Sequence, residues 1–189
     1  MTTTLFTNAH IATGEPGSTA ASTLPLQDIL VTDGVFTAFG PGLAQQYEAQ
    51  GGDLAAIEVV DLGGKLVCPP FCDTHLHLDY VFTARKPGAV NESGTLFEGI
   101  QRWSETKSDL TVDEIKQRAK IGIKKEMLHG VQLIRSHADV TDPNLTSLKA
   151  LLELKEELKD TVTLQIVSFP QEGMSSSTSP GAATRTWTS

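Results

Sequence analysis

The sequence has little of what staples a chain or anchors it. Two cysteines in 189 residues cannot make a disulfide-rich scaffold. Basic residues are the minority, 15 Lys+Arg against 23 Asp+Glu, for a net charge of −8. An acidic chain has no general attraction for phosphate backbones or anionic membranes, so neither nucleic acid nor a membrane is an expected partner. No run approaches ~18 uninterrupted apolar residues, so no membrane span is expected. The first residues, Met-Thr-Thr-Thr-Leu-Phe-Thr-Asn, lack the basic stretch and apolar run of a secretory signal. There is no Walker loop and no GxGxxG. These absences lead us to expect a soluble, cytoplasmic protein, and the 39% of hydrophobic residues suffices for a core.

What is present changes character along the chain. Residues 1–66 carry short β-like runs at Thr4–Ala9, Asp28–Thr32, Val35–Phe39 and Ile57–Leu62, punctuated by turn residues. Asp33-Gly34 between two apolar runs is a strong hairpin signal. A small antiparallel sheet is expected here. Leu66–Asp73 is apolar but holds Pro69-Pro70, so a strand there is irregular or begins after the prolines. Thr95–Lys107 reads as a short helix. Thr111 and Glu114 fit a capping box, followed by Ile115, Ala119, Ile123 and Met127 at helical spacing and by Gly130 as a helix end. Gln132–His137 reads as a strand. Asp142-Pro143 reads as an N-cap with proline at the first helical position, before a helix marked by Leu145, Leu148, Leu151, Leu152 and Leu158. Thr161–Phe169 is a third strand. This alternation implies right-handed crossovers and a parallel sheet, either a (β/α) barrel or a doubly wound sheet. Residues 174–189 hold nine Ser or Thr and no acidic residue, and we expect this tail to be disordered.

The sharpest chemical feature is Asp73-Thr-His75-Leu-His77-Leu-Asp79. In an extended chain, residues two apart face the same way. His75 and His77 would then present two imidazoles suited to a divalent metal such as Zn or Fe, with Asp73 and Asp79 on the same parity to orient them. The bland alternative is two surface histidines at a strand edge. The position after an apolar strand of a βα chain favours function, because active residues gather at the C-terminal strand ends. Arg135-Ser-His137-Ala-Asp139 ends the next strand, as a function or a polar cap. Phe169-Pro-Gln171-Glu172-Gly173 ends the third. The Gln171 amide both donates and accepts, which suits a heterocycle edge, although such a residue also serves in turns. Glu172 carries no local mark of an acid or base. Cys68 and Cys72 have the wrong spacing for a redox or metal pair and are expected to be small buried residues. His10 and His129 are isolated.

Pro69-Pro70-Phe71 leading into His75-Leu-His77-Leu-Asp79, Ser93-Gly-Thr-Leu-Phe-Glu-Gly-Ile-Gln-Arg-Trp103, Arg135-Ser-His-Ala-Asp-Val140 and Leu164-Gln-Ile-Val-Ser-Phe-Pro-Gln-Glu-Gly173 together resemble bacterial-type cytosine deaminase of the amidohydrolase superfamily. The small zinc nucleobase deaminases are a different class, and their His-x-Glu with Pro-Cys-x-x-Cys is absent. The resemblance covers about residues 55–173. It implies metal-dependent hydrolysis of cytosine to uracil and ammonia, with His75 and His77 as metal ligands and Gln171 holding the pyrimidine edge. The cofactor would be Fe or Zn and the partner a small nitrogen heterocycle; the family commonly assembles into oligomers. The implied fold is α/β: residues 1–66 as strands of a small β-sandwich, and 67–173 as the first part of a TIM-type (β/α) barrel.

The family also uses a later His, a proton-shuttling Glu, another His and a metal-binding Asp, none of which this chain supplies. A barrel of ~250 residues allots about 31 to each βα unit, so residues 67–173 hold about three units. The expectation is therefore a truncated, cytosine deaminase-like chain, inactive alone. Two alternatives stand beside it: a non-catalytic remnant that pairs with a partner, and a binding module on an unrelated α/β fold. Related amidohydrolases act on other cyclic amidines.

Overall fold

The computed structural model describes residues 2–12 and 24–173. The expected tail disorder at 174–189 lies outside the described residues. The chain divides into two compact units, with the boundary between Pro69 and Pro70.

The first unit is a five-stranded sheet of β1 (Thr3–Ile11), β2 (Leu26–Thr32), β3 (Val35–Gly40), β4 (Glu58–Asp61) and β5 (Leu66–Val67), in the order β3-β2-β1-β4 with β5 also on β1. Asp33 and Gly34 both take positive φ, 50° and 78°, the backbone that a two-residue hairpin turn requires. The sheet is mixed, not antiparallel as expected: β4 and β5 run parallel to β1. The reason is α1 (Leu43–Ala49) and the 3-10 turn Leu54–Ala56, which form a crossover and bring the chain back in the direction of β1. Sequence reading missed α1. Inside β1 the register shifts between Phe6 and Ala9. Asn8 there sits at φ 57°, a region Asn tolerates better than most residues. Its amide donates to Asp28 Oδ1 at 3.1 Å, and its side chain donates to Asp61 Oδ1 at 2.9 Å.

The second unit alternates strands and helices. Strands β6 (Phe71–Leu76), β7 (Val131–Asp139) and β8 (Thr163–Phe169) pair parallel in that order. Helices α2 (Leu96–Lys107) and α3 (Val112–Leu128) lie between β6 and β7, and α4 (Thr146–Glu157) between β7 and β8. The strand after Pro70 starts where the prolines end, because proline cannot donate to a ladder. The Thr111–Glu114 capping box forms, with Thr111 Oγ1 accepting from the Glu114 amide at 3.2 Å and Glu114 Oε2 from the Thr111 amide at 3.0 Å. Ile115, Ala119 and Ile123 of α3 are buried with Ile134, Leu151, Leu154 and Leu164 in one apolar cluster. No helix among the described residues is long and apolar enough to cross a membrane.

Three expectations are corrected. The last helix starts at Thr146, not beside Pro143. Asp142 instead accepts from the amides of Asn144 (3.0 Å) and Thr146 (2.9 Å), closing a turn that delays the helix by one loop. Cys68 and Cys72 are exposed, not buried. Cys72 belongs to β6, an edge strand, and Cys68 to the proline-bearing connection before it. Asp79 does not share a face with the histidines, because β6 ends at Leu76 and strand alternation ends with it.

Candidate active site

The ends of the three parallel strands bring three imidazoles together. His75 lies in the last turn of the β6 pleat and His77 one residue past the strand. Their ring centroids are 5.3 Å apart. His137, near the end of the adjacent β7, stacks on His75 at 4.2 Å and lies 5.6 Å from His77. Phe169, the last residue of β8, sets its edge against both His77 (5.3 Å) and His137 (5.9 Å). Tyr80 packs on His77 at 5.0 Å and on Trp103 of α2 at 4.9 Å.

Burial lowers the pKa of His77, and the neighbouring His137 and His75 lower it further. Burial also lowers that of His137, with His75 adding to the effect. Both rings are therefore held toward the neutral form, which keeps a lone pair available for a metal. The His137 Nδ1 is buried without a hydrogen-bond partner. Asp73 Oδ1 accepts from the His75 amide at 2.9 Å, so Asp73 orders the strand end and not an imidazole. Asp79 is fully buried, where it accepts from the Asp139 amide at 2.9 Å, and desolvation pushes its carboxyl up to about 6.

Borderline nitrogen donors on neighbouring strand ends fit a zinc- or iron-type ion in chemistry. Among the described residues, no group of three or more His, Cys, Asp or Glu is arranged to hold one. His75 and His77 are the adjacent nitrogen donors at this strand end, and the His137 ring is set against them. Beside the pair lies a cavity of about 450 Å³ whose walls include His75, His77, Tyr80, Arg102 and Trp103. Gln171 is not among its lining residues. It sits two residues beyond Phe169 in a turn closed by Gly173 N–H to Pro170 O at 2.9 Å.

Sequence reading passed over the contribution of α2. Trp103 Nε1 donates to Asp139 Oδ2 at 2.7 Å, and Lys107 reaches Asp139, Thr141 and Glu172. The signal was the spacing of Trp103 and Lys107, four residues apart and so on one helix face.

Residues 58–186 match the amidohydrolase family, and the chain belongs to it. Among solved structures, the 5-methylcytosine deaminase of Klebsiella pneumoniae bound to 5-fluorocytosine superposes with a TM-score of 0.76 at 39% identity, over 94% of this chain and 38% of that one. The N-isopropylammelide isopropyl amidohydrolase of Pseudomonas sp. (strain ADP) is 36% identical over 118 residues, covering 60% of this chain and 29% of its own length. A pterin deaminase of Rhizobium rhizogenes is 27% identical over 152 residues, 78% of this chain and 32% of its own. The chain spans about a third of the length of these curated relatives.

Proposed function

We propose that this chain contributes to a metal-dependent hydrolase that deaminates a nitrogen heterocycle, and that the heterocycle is cytosine or a close pyrimidine relative. The observation that carries the reading is the meeting of His75, His77 and His137 at adjacent parallel strand ends. The 39% identity to a 5-methylcytosine deaminase favours a pyrimidine over the triazine and pterin of the other relatives. In this reading residues 67–173 form about three units of a TIM-type (β/α) barrel, and residues 1–66 are strands of a β-sandwich. The succession of β6, α3, β7, α4 and β8 supports it.

His75 and His77 hold the ion, Fe or Zn, with donors outside the described residues completing the set. When bound, such an ion supplies Lewis acidity that makes water a nucleophile near neutral pH. The chain's own residues do the rest of the local work. His75 and His77 both line the cavity, and burial favours the neutral, metal-binding form of His77. Tyr80 and Trp103 line the cavity with aromatic surface, and Phe169 packs against His77 and His137. Gln171 offers one acceptor and two donors, matching a ring edge that carries both C=O and N–H.

The test uses the whole chain, loaded with Zn²⁺ and separately with Fe²⁺. Saturation-transfer NMR with cytosine, 5-methylcytosine, a hydroxytriazine and a pterin is expected to light up the pyrimidines most strongly. Replacing His75 and His77 by Ala should lower metal retained after dialysis at least tenfold. Unchanged metal retention overturns the metal assignment; a pterin or triazine binding more tightly than either pyrimidine overturns the substrate assignment.

A further inference from the structure

The last turn of α2 is tied to two strand ends by one ammonium group. Lys107 Nζ donates to Glu172 Oε1 at 2.5 Å, to Thr141 Oγ1 at 2.7 Å and to Asp139 Oδ2 at 3.3 Å. Ser104 Oγ, one helical turn before Lys107, donates to the same Glu172 oxygen at 2.6 Å. Asp139 Oδ1 is occupied by the amide and hydroxyl of Thr141, at 2.9 and 2.6 Å. The three charged side chains are nearly dry, with exposures of 12% for Lys107, 14% for Glu172 and 3% for Asp139. A charge in such a place is retained only when it is paired and hydrogen-bonded, and here one cation serves two carboxylates.

Glu172 is the residue after Gln171, in a turn with few holds of its own. Gln171 N–H reaches Phe169 O at 3.0 Å, and Gly173, at φ 87°, closes the turn onto Pro170. The Glu172 side chain ties this turn to α2 through Ser104 and Lys107. Its hydrogen bonds to Ser104 and Lys107 give it the surroundings of an anchor.

We propose that Lys107 is a positioning residue. Through Glu172 it fixes the turn that carries Gln171, so that the amide meets the heterocycle in one orientation. α2 thereby sets the geometry of a residue in the turn that follows β8. The value of that geometry for binding rests on the reading of Gln171 given above; the anchoring itself does not.

Amide hydrogen exchange and cytosine saturation transfer, both on the full chain, separate the two. Lys107→Met is expected to speed exchange at Gln171 and Gly173 at least tenfold while the β7–β8 ladder around Ile134 and Leu164 keeps its protection, and to weaken cytosine binding about tenfold. Lys107→Arg should restore most of both. Glu172→Gln keeps the shape and the Ser104 contact but loses the charge, and should give the same pattern at smaller size; it decides the matter where Lys107→Met loosens the whole sheet. Unchanged exchange at Gln171 and Gly173 in Glu172→Gln and Lys107→Met overturns the anchoring. Gln171→Ala with cytosine binding intact overturns the reading of Gln171 instead, and with it the effect on binding.

Discussion

The two units of the chain hold themselves together differently. In the second, Ile134, Ile115, Ile123, Leu151, Leu154 and Leu164 are buried side by side, each at 2% exposure or less. In the first, the fully buried apolar side chains among the described residues are Leu5 and Ala9, while Val35, Phe36 and Phe39 are 62–74% exposed. Its one buried polar side chain among the described residues is Asp28. Asp28 accepts from the Asn8 amide with one oxygen and from the Leu43 amide with the other, at 3.1 and 2.9 Å, joining β1, β2 and α1. A sheet with several helices packed against it builds the larger apolar core. A sheet with one short helix needs a carboxylate at its bulge.

The largest expected break of this contrast is Ile134→Ala. A cavity in the second unit's core costs about 2–5 kcal/mol, and hydrogen exchange should rise across β6, β7 and β8 while β1 and β2 keep their protection. Next comes Asp28→Ala, which strands two amides and costs about 1–3 kcal/mol; exchange should rise at Asn8 and Leu43 and not at Ile134. Thr111→Ala removes a cap worth about 1 kcal/mol, and should fray the first turn of α3 without touching the first unit. Smallest is Phe36→Ser, expected within about 0.5 kcal/mol of wild type because the ring is already exposed, checked by the midpoint of urea unfolding.

Acid sharpens the same comparison. The Ser93 hydroxyl and amide, with the Glu92 amide, hold the Glu98 carboxyl at about 2, below its ordinary 4.5. A depressed carboxylate stabilises the folded form above the unfolded value and loses that contribution as pH falls through the folded one. The start of α2 should therefore be fully held above pH about 4.5 and loosen on acidification toward pH about 2. NMR titration of the Glu98 carboxyl carbon checks this, and in Glu98→Gln the acid-dependent fraying of the 93–98 segment should vanish.

Much of this was legible in the sequence because local signals and tertiary packing agree. The capping box at Thr111, the hairpin at Asp33-Gly34 and the three parallel strands follow from short-range chemistry. His75 and His77 were legible because alternation nearly reaches them. What escaped needed knowledge of neighbours. The parallel pairing of β4 with β1 depends on a crossover whose helix, Leu-Ala-Gln-Gln-Tyr-Glu-Ala, has one buried residue, Leu43, too weak a stripe to read. The partners of Lys107 lie 32, 34 and 65 positions away, and no spacing rule spans such distances. Asp79 looked like a companion of the histidines because parity was carried past the strand's end.

The register of the parallel sheet also bears on the order in which it assembles. β7 pairs with β8 through residues such as Leu133 and Thr163, thirty positions apart, whereas β6 meets β7 through Phe71 and Val131, sixty apart. Doubling a loop adds about 0.6 kcal/mol of closure entropy. By loop closure alone, the β7–α4–β8 pairing is cheaper to form than the pairing that brings in the strand of His75, by about 0.6 kcal/mol.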